Sequence, residues 1–122
     1  MSTIWFKLAA AFMMLGVVFG AFGAHSLKDR LSPESLEIYK TAVFYQFIHA
    51  LGIFVVWFAG VQAGGSSRVL TLSGVCFTAG ILVFSGSLYI LAITGARWLG
   101  AVTPLGGLAF IIGWALLLFH RT

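Results

Sequence analysis

The chain has 122 residues, of which 61% are hydrophobic and only 8% are charged, and its mean hydropathy is +1.07. A soluble domain carries roughly 25% charged residues, so this chain has too few to cover a water-facing surface. The composition excludes an ordinary soluble domain and predicts an integral membrane protein. The net charge of +4 does not indicate nucleic-acid binding, because the basic residues lie singly near segment ends and form no patch.

The charged residues leave four long uncharged stretches, residues 8–27, 41–67, 69–96 and 98–120. A helix needs about 20 apolar residues to cross a hydrocarbon core of ~30 Å, and each stretch is long enough. Only helices and closed barrels pair every backbone amide in lipid, and the alternating pattern of a barrel strand is absent. Because the connections are short, we expect one all-α domain, a four-helix up-down antiparallel bundle. The expected transmembrane helices span about 4–24, 33–60, 69–93 and 98–120.

The connection between the first two helices, residues 28–32, begins a charged region that continues into the second helix. Within it, Ser32-Pro33-Glu34 has the pattern of an N-cap, a first-turn proline and an acid near the positive end of the helix dipole. The second helix is therefore predicted to start near Pro33 and to enter lipid near Tyr39.

The start of the fourth helix has two interpretations. Thr103-Pro104 resembles a second N-cap followed by a first-turn proline. Either the helix begins at Trp98 and bends, or residues 98–103 are irregular and the regular helix begins at Pro104. With four spans, both termini and the second connection lie on one side of the membrane, and the first and third connections on the other. Lysine and arginine are too evenly divided between these sides to predict the orientation.

Polar residues at membrane depth are the main candidates for a functional site. Tyr45, Gln46 and His49 lie in the second helix, and Ser85 and Tyr89 lie at comparable depths in the third, counting 1.5 Å per residue. An unpaired polar group in lipid costs several kcal/mol, so we expect these side chains to face protein and form one cluster. The cluster either joins helices, at about 0.6–2 kcal/mol per hydrogen bond, or forms a site with His49 as proton relay or ligand contact.

Glycines in the helices predict close approach of helix backbones. Two of them form a GxxxG pair in the first helix, and others lie in the third and fourth helices. The candidates for close packing are Gly16, Gly20, Gly23, Gly86, Gly106 and Gly107.

The three histidines do not form an expected metal site. His25 is predicted at the membrane interface, His49 near the bilayer centre and His120 at the opposite end of the bundle. Three different depths are incompatible with one coordination shell with ligands near 2 Å. The sequence also lacks a buried carboxylate pair, a nucleophile–base signature or a phosphate loop. We therefore expect no metal, no cofactor and no catalytic residue, and the chain is not expected to be an enzyme.

Four segments together resemble one known family. They are residues 20–25 (GAFGAH), 45–51 (YQFIHAL), 84–89 (FSGSLY) and 103–107 (TPLGG). In this order they resemble the signature blocks of the YgdD/YwdK-like family of small bacterial inner-membrane proteins, which has small transmembrane relatives in vertebrates and no assigned function. The resemblance covers nearly the whole chain. It implies a compact helical fold in the bacterial inner (cytoplasmic) membrane, and it supplies no catalytic residues.

Three functional hypotheses follow. The first is a non-enzymatic structural or accessory subunit that acts through helix packing, with membrane lipids and either further copies or a larger membrane complex as partners. The second is a conduit or transporter for small solutes or protons that uses the His49 cluster. The third is binding of a lipid or quinone in an aromatic-lined groove.

Overall fold

Four helices form the fold in the computed structural model, which describes residues 2–65 and 67–121. The helices are α1 (Thr3–Leu27), α2 (Pro33–Gln62), α3 (Arg68–Thr94) and α4 (Arg97–Leu118), each long and apolar enough to cross a membrane. No strand occurs in the described ranges. The expected all-α fold with four transmembrane helices is confirmed, and each helix boundary lies within one turn of its expected position.

Local sequence signals explain where α2 and α3 begin and end. The Ser32 hydroxyl oxygen accepts a hydrogen bond from the Ser35 N–H at 3.1 Å, and Pro33 is in the first turn of α2, which confirms the predicted cap. Ser67 caps α3 in the same way, accepting from the Leu70 N–H at 3.1 Å. Gly95 ends α3 with φ of +72°, a left-handed conformation that glycine adopts without steric cost.

Two of the helices contain a π-helical turn that the sequence pattern did not predict. In α3, residues Ile81–Ser85 form such a turn between the regular segments Arg68–Gly80 and Gly86–Thr94. In α1, the last residues, Gly23–Leu27, form another. A π-helical turn inserts one extra residue, so it changes which side chains face a neighbouring helix.

The start of α4 follows the second of the two interpretations. Arg97–Ala101 forms a 3₁₀ turn, and the regular helix is Thr103–Leu118. The prediction that Thr103 caps this helix was wrong. Its hydroxyl donates to the Leu99 carbonyl at 3.1 Å and lies 2.6 Å from the Ser87 hydroxyl. Thr103 therefore joins α4 to α3, because a polar side chain in the apolar interior pairs with the nearest hydroxyl.

The helices α2 and α3 form the centre of the bundle. α1 packs along α2, and α4 packs along α3. α2 reaches α1, α3 and α4 with different faces, so α1 and α4 lie on opposite sides of the central pair. The largest fully buried side chains, Phe77, Ile53, Leu70 and Val56, lie on the central pair. Large apolar side chains such as Val17 and Ile111 point outward, as expected for a surface in contact with lipid.

Candidate functional site

Gln46 connects three helices. Its side-chain amide donates to the Phe12 carbonyl of α1 at 2.8 Å, and its Oε1 accepts from the Tyr89 hydroxyl of α3 at 2.6 Å. Gln46 is only 2% exposed. Its amide nitrogen and its amide oxygen are thus both paired, which removes the cost of placing an amide in lipid.

Two tyrosines extend this connection toward the first loop. The Tyr39 hydroxyl donates to the Phe19 carbonyl of α1. The Tyr39 and Tyr89 rings meet edge to face, with their centroids 5.2 Å apart, and Phe19 packs against Tyr89 at 5.0 Å. This half of the bundle is held together by aromatic contacts and by hydrogen bonds to main-chain carbonyls.

Two buried serines bond to carbonyls of a neighbouring helix. Ser85 donates to the Ala42 carbonyl of α2, and Ser73 donates to the Gly113 carbonyl of α4, each at 2.8 Å. Interhelical bonds of this kind contribute roughly 0.6–2 kcal/mol each in membrane proteins. They hold α3 to both of its neighbours.

His49 lies on the face of α2 that points toward α4. Its Nδ1 is 2.8 Å from the Tyr45 carbonyl, and its Nε2 accepts from the Trp114 indole N–H at 3.0 Å. A carbonyl only accepts and an indole only donates, so Nδ1 carries the proton and Nε2 does not. The ring also stacks on Phe110, with centroids 3.5 Å apart and an interplanar angle of 9°. These contacts select the neutral imidazole in one tautomer.

The five polar residues expected in one cluster are divided between two faces of α2. Gln46 and Tyr89 join on the side of α1, whereas Tyr45 and His49 face α4. Ser85 bonds separately to the Ala42 carbonyl. The expected cluster is therefore divided into two pairs and the separate Ser85. Successive helical residues lie about 100° apart, so residues 45 and 49 share a face from which residue 46 points away.

The sequence reasoning missed the partner of His49. Trp114 lies in the interior of the fourth uncharged stretch, and an indole N–H within lipid needs an acceptor. This requirement could have identified His49, because an unprotonated ring nitrogen of His49 is an acceptor at membrane depth. Tyr39, expected where α2 enters lipid, is 3% exposed and packs inside the bundle.

Three of the predicted glycines lie at close helix contacts. A Cβ atom on Gly16 would lie 2.6 Å from the Phe47 ring, and one on Gly23 would lie 2.4 Å from the Tyr39 ring. A Cβ atom on Gly106 would lie 2.4 Å from the backbone nitrogen of Phe84. A Cβ atom at these positions would require the neighbouring ring or backbone to move, so glycine allows α1 to approach α2, and α4 to approach α3, this closely.

The other three predicted glycines differ. Cβ atoms on Gly20 and Gly107 would make ordinary contacts, at 3.6 Å from Val43 and 3.8 Å from Phe84. A Cβ atom on Gly86 would meet nothing within 4 Å, so the prediction of close packing there was wrong. Gly86 directly follows the π-helical turn of α3, which changes the face on which it lies. Close contacts that were not predicted occur at Gly52, Gly74, Gly80 and Gly113.

A groove of about 450 Å³ separates α2 from α4 beside His49. Large side chains on α2 keep these two helices apart, and the space between them is only partly filled. The groove is mostly apolar, and its aromatic lining consists of Phe44, Tyr45, His49, Phe84, Phe110 and Trp114.

The histidines and carboxylates of the described part of the chain do not converge. Within residues 2–65 and 67–121, no three His, Cys, Asp or Glu side chains lie close enough to share a metal ion. His25 is exposed in the π-helical turn that ends α1. Glu37 lies at the exposed start of α2, where its carboxylate is 3.6 Å from the Lys40 ammonium.

Comparison with known proteins identifies relatives across most of the chain. Residues 19–107 match the family described as "Protein of unknown function (DUF423)". The chain belongs to the DUF423 family. It is 46% identical to the UPF0382 membrane protein YwdK of Bacillus subtilis over 93% of this chain and 92% of that relative. It is 45% identical to UPF0382 membrane proteins of Staphylococcus haemolyticus (91% of this chain, 88% of the relative) and Staphylococcus epidermidis (93% and 91%).

The DUF423 assignment confirms the resemblance inferred from the four segments. This DUF423 chain is a membrane protein of a family with no assigned activity. No solved structure matches it. The matched range contains all five residues of the expected polar cluster, whereas Phe110 and Trp114 lie beyond it.

Proposed function

We propose that this protein is a non-enzymatic structural or accessory subunit of the bacterial inner membrane, acting through helix packing as a homo-oligomer or within a larger membrane complex. The observation that carries this proposal is the pairing of its interior polar groups. Within the described residues, every buried side-chain nitrogen or oxygen has a hydrogen-bond partner. Because most of these bonds connect one helix to another, the interior polarity supports assembly of the bundle.

The outer helices provide the surface for such partners. The membrane-spanning windows of α1 and α4 are each only 17% buried within the chain, compared with 39% for α2. Val18 of α1 and Ile111 of α4 are 52% and 67% exposed. These two apolar surfaces lie on opposite sides of the bundle, and each is available to lipid or to a helix of another chain.

The geometry around His49 favours this proposal over a proton conduit. A protonated His49 would direct an N–H from Nε2 toward the indole N–H of Trp114, so two donors would face each other. Both ring nitrogens are already occupied. The carboxylates of Asp29, Glu34 and Glu37 are exposed in or beside the first loop, away from the bilayer centre.

Native mass spectrometry in a mild detergent tests the accessory role. We expect the protein extracted from bacterial membranes to carry additional copies or another membrane protein in a fixed ratio. A tryptophan introduced at Val18 or at Leu108, which are 52% and 54% exposed, adds bulk to one outer surface without entering the core. We expect one of these two variants to lose the complex, while the other serves as its matched control.

A lone monomer in every detergent and lipid condition would contradict the accessory role. The conduit is tested separately by proton flux in proteoliposomes. If His49→Ala abolishes flux in liposomes but leaves the native mass unchanged, the conduit becomes the better explanation.

A further inference from the structure

Tyr45 has a hydroxyl group that lacks a partner at membrane depth. Tyr45 is half-buried and lines the α2–α4 groove, and its hydroxyl makes no hydrogen bond with any residue in 2–65 or 67–121. The other two tyrosines differ, because the Tyr39 and Tyr89 hydroxyls both donate to acceptors inside the bundle. A phenol without a partner in hydrocarbon carries a desolvation cost, which an acceptor on a bound molecule would remove.

The depth of Tyr45 restricts which molecules can supply that acceptor. Tyr45 lies six residues beyond Tyr39 along α2, and Lys40 and Glu37 at the start of the helix are exposed. At 1.5 Å per residue, Tyr45 is about 9 Å below the level of Tyr39. Phospholipid carbonyls lie at the edge of the hydrocarbon core, so an apolar molecule that carries a carbonyl oxygen further into the bilayer matches the position of Tyr45 better.

The walls of the groove suit a flat ring. The Tyr45 and Phe84 ring centroids are 4.6 Å apart, and Phe84 lies 5.4 Å from Phe110. Stacking of His49 on Phe110 at 3.5 Å shows that planar groups already pack face to face on this wall. The volume of about 450 Å³ lies within the range of pockets that hold small molecules.

The groove is also shaped by an unusual backbone. Phe84 belongs to the π-helical turn of α3, a feature that frequently occurs at functional sites. Gly106 presses against the Phe84 backbone, which fixes the position of that turn. The Trp114 indole N–H donates to His49 Nε2, and this bond fixes both rings at the edge of the groove. His49 and Trp114 act here as positioning residues, since their hydrogen-bonding atoms are already paired.

We propose that the α2–α4 groove binds a membrane quinone. Its planar ring lies against Phe84, the Tyr45 hydroxyl donates to one ring carbonyl, and its apolar tail extends into the surrounding lipid. The proposal concerns binding and includes no electron transfer. It does not depend on the accessory role, because the groove is formed within one chain.

Photolabelling tests the site directly. The full chain is placed in nanodiscs of phosphatidylethanolamine and phosphatidylglycerol and labelled with an azidobenzoquinone that carries a decyl tail. Mass spectrometry then maps the labelled residues. We expect saturable labelling on α2 and α4 around Tyr45 and Phe110, and displacement of the label by decylubiquinone.

Three variants define the contacts. Tyr45→Phe removes only the hydroxyl oxygen, and we expect decylubiquinone to bind roughly five- to tenfold more weakly, the usual effect of losing one hydrogen bond. Tyr89→Phe is the control for a tyrosine hydroxyl outside the groove. It also removes the bond to Gln46, so it is compared in its folded state, where quinone binding should not change. Gly107→Leu places a side chain inside the groove, and labelling should be lost. Circular dichroism in the same nanodiscs shows which variants fold.

Several results would overturn the proposal. These are labelling that does not saturate, labelling that decylubiquinone does not displace, and equal affinity in wild type and a folded Tyr45→Phe variant. Displacement that rises instead with the phosphatidylglycerol content would identify a phospholipid as the occupant. If Gly107→Leu does not fold, the single-atom change in Tyr45→Phe decides the question. None of these results affects the native mass, so the accessory role is judged separately.

Discussion

The two sides of α2 pack against their neighbours, α1 and α4, in different ways. Toward α1, the contacts use Gly16 and Gly23, and Gln46 reaches the Phe12 carbonyl at 2.8 Å. Toward α4, α2 presents the large side chains Tyr45 and His49, which meet aromatic rings, and a groove of about 450 Å³ remains. On the α1 side, glycine and hydrogen bonds to the main chain bring the helices close and leave a smaller groove of about 260 Å³ beside Gly20 and Gly23. The α4 side is bridged by stacked rings.

The difference shows how residue size affects the amount of space left between the helices of a small membrane protein. Without a hydrophobic driving force between helices in lipid, close contact depends on small residues that let the backbones approach. α1 offers such residues to α2. The α4-facing side of α2 has bulky rings, so side chains span the gap and leave room between them. Stability is therefore expected to depend most on the glycine contacts, and ligand binding on the aromatic side.

The largest effect is expected at Gly106, where α4 meets α3. In Gly106→Ala the added Cβ would lie 2.4–2.7 Å from the Phe84 backbone, which cannot rotate away as a side chain can. We expect the free energy of unfolding to fall by about 3 kcal/mol, the upper end for overpacking. Unfolding by sodium dodecyl sulfate, followed by circular dichroism, measures it. Gly107→Ala is the matched control and should stay within about 0.5 kcal/mol; equal losses in both variants would contradict a steric cause.

A smaller loss is expected at Gly23, on the α1 side of α2. In Gly23→Ala the Cβ would meet the Tyr39 ring at 2.4 Å, and the ring would have to move away from the Phe19 carbonyl. We expect a loss of about 2 kcal/mol in the same unfolding measurement. Gly20→Ala, with its nearest contact at 3.6 Å from Val43, should be almost neutral. A neutral Gly23→Ala would mean that the close contact between α1 and α2 does not depend on glycine at this position.

The bridge on the α4 side is tested by a double-mutant cycle between His49 and Trp114. His49→Phe retains a ring that can stack on Phe110 but removes the acceptor, and Trp114→Phe removes the donor. We expect a coupling free energy of about 1 kcal/mol, as for other interhelical hydrogen bonds in membranes. Additive effects of the two substitutions would show that the bond contributes nothing to stability.

The smallest effect is expected at Gly86. A Cβ there meets nothing within 4 Å, and alanine favours the helix more than glycine does. Gly86→Ala should therefore leave the unfolding free energy unchanged or raise it by about 0.5 kcal/mol. A clear destabilisation would show that Gly86 contacts another copy or another protein, because its own chain leaves the position open.

Much of the fold could be predicted from local features of the sequence. The spacing of charged residues was sufficient to locate four spans, since a charge within the hydrocarbon core is costly and each span needs a minimum length. The cap at Ser32 and the proline after it were sufficient to place the start of α2, because capping involves only neighbouring residues. The corresponding prediction of a cap at Thr103 was wrong, because its hydroxyl pairs with the Ser87 hydroxyl of α3.

The candidate site was predicted only in part. Polar residues at depth were expected to face protein; Gln46 and His49 are buried, whereas Tyr45 is half-buried. Gln46 bonds to Tyr89, which belongs to the same expected cluster, but the main-chain partner of Gln46 was not predictable from residue type. Gln46 bonds to a main-chain carbonyl 34 residues away, and every residue in a helix has such a carbonyl. Trp114 lies 65 residues from His49, and no local pattern connects them.

The sequence by itself determined that the chain crosses a membrane as four helices, because the cost of placing charge and unpaired backbone in lipid depends only on composition and order. The tertiary structure alone decided which faces of those helices meet. The π-helical turn in α3 changes the register of every later residue in that helix, and close packing depends on which small residues then oppose each other. The groove beside His49 results from this arrangement of helix faces, because it forms where bulky side chains hold α2 and α4 apart.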